Sequence, residues 1–95
     1  MPMFDNPHPD PVTYGIPSPT AAGLLRYIHH HIPTGGFLEA VISNNLKESF
    51  ARADETNQMS MARIVSYLYN YAPMECWGSP EKYKAWIENR GQSHD

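Results

Sequence analysis

The sequence has little that would let it catalyse a reaction, cross a membrane or lie along a nucleic acid. One cysteine, Cys76, stands among 95 residues, so no internal disulfide can form, which fits a reducing cytoplasm. Basic residues are scarce: seven Lys and Arg against ten Asp and Glu leave a formal net charge of −3. Affinity for duplex DNA or RNA comes from a field of basic side chains, so the charge balance argues against a duplex binder, while single arginines could still clamp a small anion. No apolar run approaches the roughly 18 residues of a transmembrane helix. The opening MPMFDNPHPDP has neither the basic start nor the apolar centre of a signal peptide. HExxH, GxSxG and paired carboxylates are all missing. We therefore expect no enzyme, no metal and no cofactor.

What is abundant is proline at one end. Six of the nine prolines fall within residues 1–19. Proline fixes φ and removes a donor, so residues 1–19 read as an extended arm or a strap on the body, anchored by Tyr14 and Ile16 besides Met3 and Phe4. Residues 20–91 read as one helical domain, and 92–95 as a disordered tail. Pro19 and Thr20 start a first helix with Leu24, Leu25 and Ile28 on one face, and Pro33 stops it. A second begins near Gly35 and carries Phe37, Leu38, Val41 and Ile42. Asn45 caps a third, in which Leu46, Phe50 and Ala53 recur at helical spacing. A fourth carries Met61, Ile64, Val65, Leu68 and Ala72 and ends before Pro73. Ser79 at the cap, Pro80 at the first helical position and Glu81 in the first turn open the last, with Tyr83, Trp86 and Ile87 on one face and a stop at Gly91. No segment alternates long enough to be a strand. The predicted class is all-α, about five short helices in a compact bundle.

Three groups of residues carry possible chemistry. In PTGGF, Thr34 is a candidate N-cap, with the N–H groups of Gly35, Gly36 and Phe37 open in the first helical turn. Free donors and the helix dipole suit a phosphate, and glycines let a ligand approach closely. The plain alternative is a helix–helix turn, and the lysine and spacing of a Walker loop are missing. In ARADETN, Arg52 offers a guanidinium for phosphate, and Asp54 and Asn57 offer hydrogen bonds to sugar or base. The structural alternative makes Asp54 a helix cap and pairs Arg52 with a carboxylate. The aromatics are the third group. Tyr67 and Tyr71 share a helical face, Tyr69 points elsewhere, and Trp77 in a Gly-flanked loop is the best candidate for stacking on a base. The tract His29-His30-His31 is read as surface histidines at a helix end. Consecutive helical residues diverge by about 100°, so they cannot converge on one ion. Cys76, without a helper group, is read as a small buried residue.

The string IPTGGFLEAVISNNLKESFARADETN, followed by IVSYLYNYAP and CWGSPEKYKAWI, resembles a widespread family of small phage-encoded proteins with the ordered pattern PTGxFLxAV, NxL, RADxxN, YNxxP, WGSPE and AW. The match covers about residues 23–90. The resemblance implies a phage anti-defence protein, acting in the cytoplasm of an infected bacterium. It would sponge a nucleotide immune signal, such as the cyclic dinucleotides of CBASS defence, without cleaving it. On that expectation the Thr34–Phe37 backbone cradles a phosphate, Arg52 or Arg63 neutralises charge, and Trp77 or a tyrosine stacks on a base. A homo-oligomer would suit a two-fold ligand. The chain departs from the pattern in its long proline-rich arm and in Asn45, where relatives carry an acidic residue. The rival expectation is a protein–protein inhibitor or adaptor that docks on a host factor through the same aromatics.

Overall fold

The computed structural model describes residues 9–89. Six α-helices follow one another: α1 Ser18–His30, α2 Gly36–Ile42, α3 Leu46–Arg52, α4 Glu55–Met59, α5 Met61–Tyr71 and α6 Pro80–Glu88. A 3₁₀ turn, Met74–Cys76, links α5 to α6. No strand occurs among the described residues, so the all-α expectation holds with one helix more than the sequence pattern predicts.

The extra helix is α4. Asp54 caps it, its Oδ1 accepting from Asn57 N at 2.8 Å. The predicted fourth helix is α5, which begins only after Ser60. Helix ends elsewhere follow the local chemistry. Asn45 Oδ1 accepts from Glu48 N at 3.1 Å and Ser79 Oγ from Lys82 N at 3.1 Å, each taking up one otherwise unpaired donor. α1 starts two residues earlier than expected and closes on His31 in the left-handed conformation, φ 58°. α6 ends at Glu88 with Asn89 as its cap. Gly91, the predicted stop, lies outside the described residues, as do Met3, Phe4 and the 92–95 tail.

The core is built from α1, α2, α5 and α6. Leu24, Tyr27, Ile42, Ile64, Tyr67, Leu68 and Cys76 are fully buried and belong to one cluster. Each of the buried leucines and isoleucines contributes about 1.5–3 kcal/mol by leaving water. Among the described residues every buried side-chain nitrogen and oxygen has a hydrogen-bond partner. The Tyr27 hydroxyl donates to the Cys76 carbonyl at 2.7 Å, and Trp86 Nε1 donates to the Tyr27 carbonyl at 2.9 Å. These two bonds tie α1 to the 3₁₀ turn and to α6. The stretch before α1 forms turns around Asp10 and lays Ile16 in the core, while Tyr14 packs edge-on to Tyr67 and Tyr71 and bonds Ser66 Oγ at 2.7 Å.

One helix is built the other way out. On α3 the buried residue is Ser49, whose hydroxyl donates to the Asn45 carbonyl at 2.6 Å. Leu46 and Phe50, the apolar pair that predicts the helix, face solvent at 68% and 43% exposure.

Candidate functional site

The predicted site residues fall into separate places. Gly36 and Arg52 meet. A Cβ built on Gly36 would lie 2.9 Å from Arg52 Nη1 and 3.2 Å from its Cδ, so the guanidinium fills the space that the glycine leaves. Both line a shallow pocket of about 320 Å³ with Glu39, Ala40, Ser43, Asn45, Glu48 and Pro80. Arg52 Nε already pairs with Glu48 Oε2 at 2.6 Å, and Glu39 adds a second carboxylate. The charge lining this pocket is therefore one cation against two anions.

Thr34 is not the cap of α2. Gly35 takes that position, with φ −70° and ψ 176° and no side-chain cap bond. Thr34 is held instead by α6: its N–H donates to the Tyr83 hydroxyl at 2.9 Å, and its own hydroxyl bonds the Gly35 carbonyl and lies 3.2 Å from Tyr83 Oη. Phe37 is half-buried against the core. Neither Gly35 nor Gly36 has a positive φ, so no backbone strain demands this pair.

Asp54 and Asn57 both work on α4. Asp54 caps the helix, and Asn57 Oδ1 accepts from the buried Thr20 hydroxyl at 2.7 Å, joining α4 to α1. Arg63, on α5, lies over Gly15. A Cβ there would come within 2.5 Å of Arg63 Cδ, and the φ of +99° also favours glycine.

Trp77 stands apart in a cleft of about 590 Å³, lined by Asn44, Tyr69, Met74, Gly78 and Lys82 as well. The chain builds it from three elements. Tyr69 projects from α5 away from its buried neighbour Tyr67, because side chains two apart on a helix diverge. Met74 follows the Pro73 stop. The Trp77-Gly78 step is pinned by Gly78 N donating to the Ile42 carbonyl at 2.7 Å, and Gly78 takes φ +119°, a conformation that suits glycine alone. Tyr69 and Met74 are 77% and 75% exposed, and Trp77 is half-buried. Its indole N–H bonds no described residue and is not buried, so it reaches solvent. Lys82 is the one lining residue with a formal charge. It has no carboxylate partner among the described residues, and its Nζ donates to the Met74 carbonyl at 3.2 Å. Sequence reading singles out Trp77 and notes that Tyr69 diverges, but misses Asn44, Met74, Gly78 and Lys82. The signal for Lys82 was its place five residues beyond Trp77, behind the Ser79 cap.

Other reactive types are occupied structurally. Burial pushes the Cys76 thiol up to about 12, with Glu75 adding to the rise, which keeps it protonated and unreactive at neutral pH. His31 is not a surface histidine. Its ring stacks on Trp86 at 4.3 Å, and Nδ1 donates to the Trp86 carbonyl at 2.6 Å, which fixes the proton on Nδ1. His29 and His30 are exposed. Among the described residues no cluster of His, Cys, Asp and Glu could hold a metal ion, and no helix is long and apolar enough to cross a membrane. Comparison with family models, curated proteins and solved structures gives no match.

Proposed function

We propose that this chain is a non-catalytic binding module that sequesters a small nucleotide, the cyclic dinucleotide signal implied by the phage-family resemblance being the first candidate. The observation that carries the reading is the Trp77 cleft: aromatic and thioether walls for a base, the Asn44 amide for hydrogen bonds, and Lys82 for a phosphate. The Gly36–Arg52 pocket supports a phosphate less well, because Glu48 already neutralises Arg52 and Glu39 would repel an anion. The reading thus moves the ligand from the double glycine to the other side of the Ser43–Asn45 turn.

The test is calorimetric titration of the full chain with cyclic di- and trinucleotides, linear nucleotides and ADP-ribose, with the ligand recovered after denaturation. Tight binding with the ligand returned intact is the expected result. A ligand returned altered means an enzyme. Silence across the panel overturns the reading.

A second reading, docking on a protein, draws on the outward face of α3. Leu46 and Phe50 are large apolar side chains in water. A homo-oligomer, as the family expectation has it, would use the same face. Sedimentation of Phe50→Glu against the wild type separates the cases. A wild-type chain that is monomeric at all concentrations removes the self-association version.

A further inference from the structure

Lys82 occupies the third position of α6, behind Pro80 and Glu81. The N-terminal turn of a helix carries partial positive charge, so a cation there is disfavoured. The Ser79 cap sharpens the anomaly. Ser79 Oγ accepts from Lys82 N, which is half of a capping box, and the other half calls for Glu or Gln at this very position to reach back to the cap. A chain tuned for helix stability alone would not put lysine there. Conflicts of that kind between local rule and residue choice concentrate at functional sites.

The surroundings say what the lysine faces. Its ammonium sits in the Trp77 cleft, bonded to the Met74 carbonyl and to no carboxylate. Three other shallow pockets each set carboxylates against their cation: the one at Gly36 carries Glu39 and Glu48 against Arg52, the one at Tyr83 carries Glu39 and Glu88 against Lys84, and the one at Leu25 carries Asp10 against Arg26, beside His29 and His30. Only the cation lines the Trp77 cleft, and it does so beside a tryptophan ring whose backbone is already fixed by Gly78. Lys82 lies close to the Gly78 backbone: a Cβ built on Gly78 would have Lys82 Cδ and Nζ as its nearest atoms, both at 3.9 Å.

We propose that the cleft between Asn44 and Lys82 is a subsite for a flat aromatic anion, with Trp77 and Tyr69 holding the ring and Lys82 leaving the Met74 carbonyl to pair with the anionic group. This rests on the nucleotide-sequestration reading, in which the ring is a nucleobase and the anion a phosphate. It adds to that reading the residue that selects phosphorylated over unphosphorylated ligands. An ammonium exchanging a neutral carbonyl for a phosphate oxygen keeps its hydrogen bond and adds an ion pair, worth about tenfold in affinity.

The experiment uses the two tryptophans, one in the cleft and one outside it. The ¹⁵N-labelled full chain is titrated with AMP, adenosine and inorganic phosphate while both indole N–H signals are followed. The Trp86 signal is an internal control, since its N–H is held by the Tyr27 carbonyl. AMP is expected to move the Trp77 signal and not the Trp86 signal. Adenosine should bind about tenfold more weakly, and phosphate alone should leave the Trp77 indole in place. Added salt should weaken AMP and spare adenosine. Lys82→Gln should bring AMP down to the level of adenosine while the melting temperature stays level or rises, because glutamine completes the capping box. Lys82→Arg should keep AMP binding, and Tyr69→Ala should weaken both ligands.

AMP bound equally by wild type and Lys82→Gln overturns the role of the lysine. No movement of Trp77 at millimolar AMP overturns the subsite. If a cyclic dinucleotide nonetheless binds the wild type, Lys82→Gln and Tyr69→Ala alike, sequestration stands and its site lies elsewhere. If no nucleotide binds, both fall together.

Discussion

The two tryptophans are both half-buried and only nine residues apart in sequence, yet they sit in opposite kinds of surroundings. Trp86 is closed in. Its N–H is bonded to Tyr27, its face is stacked on His31, and behind it Tyr27 and Tyr83 stack at 5.2 Å. Trp77 is left open. Its N–H reaches water, and its neighbours Tyr69 and Met74 are both largely exposed. A ring whose edge and face are both satisfied within the chain stabilises the fold. A ring with one polar edge free and an exposed cation nearby has unmet binding capacity. The difference separates a ring that holds the structure together from a ring that is open to solvent.

The largest effect should come from pH acting on the closed side. Burial pushes the thiol of Cys76 from 9.0 to about 12 and the hydroxyl of Tyr67 from 10.0 to about 12, and it raises Tyr27 as well. All three are neutral when protonated, so a raised value means that the folded state holds its proton where the unfolded chain releases it. The stability they contribute is complete below about pH 9, the unfolded value of the thiol, and is lost as pH rises from there through the folded values near 12. On the order of 3 kcal/mol or more should be gone by about pH 11. Urea denaturation at stepped alkaline pH reads it. Cys76→Ala should flatten the profile between about pH 9 and 10, where the thiol alone titrates. A profile of unchanged slope would mean that the thiol is less deeply shut in than its zero exposure indicates.

Next in size is the substitution that sets the tryptophans against each other. Trp86→Ala removes a ring, a stack and the bond to a buried carbonyl, and should destabilise by about 3 kcal/mol. Trp77→Ala removes a ring that touches the core on one side only, and should destabilise by about half of that. Thermal unfolding of the two variants gives the answer directly. Equal losses would erase the distinction between a structural and an available ring.

That distinction was partly legible in the sequence. Helical periodicity and caps gave the class and most elements, because Asn45, Asp54 and Ser79 act within four residues of where they stand. Trp77 stood out because Gly78 follows it, and Tyr69 because it lies out of phase with Tyr67 and Tyr71. Periodicity could not say which way α3 faces. It marked Leu46 and Phe50 as an apolar stripe, but α3 buries Ser49 and packs on α2, and its direction is set by packing between segments rather than by its own pattern. The nine candidate residues were chosen by type and local spacing. Tertiary placement distributes them over α2–α3, α4, α5 and the Trp77 loop. Lys82 and Met74 could not be seen as a pair, since their bond joins the 3₁₀ turn to α6 eight residues on.

The smallest expected effect lies at the double glycine, and it is informative for being small. Gly36 opens α2, where alanine is the better helix former by up to about 1 kcal/mol. Against that, the new Cβ would press on Arg52 at 2.9 Å. The atoms it meets belong to a long side chain that is 56% exposed and free to swing away, which would break only the surface pair with Glu48. Such pairs contribute roughly 0–1 kcal/mol, and salt weakens them further. Gly36→Ala should therefore change stability by less than about 0.5 kcal/mol in either direction and leave AMP binding at Trp77 untouched. Thermal unfolding at low and high salt measures the first, and the Trp77 indole signal the second. If Gly36→Ala instead destroyed nucleotide binding with the fold intact, the phosphate would belong at the mouth of α2. The open tryptophan would then be the wrong side of the comparison.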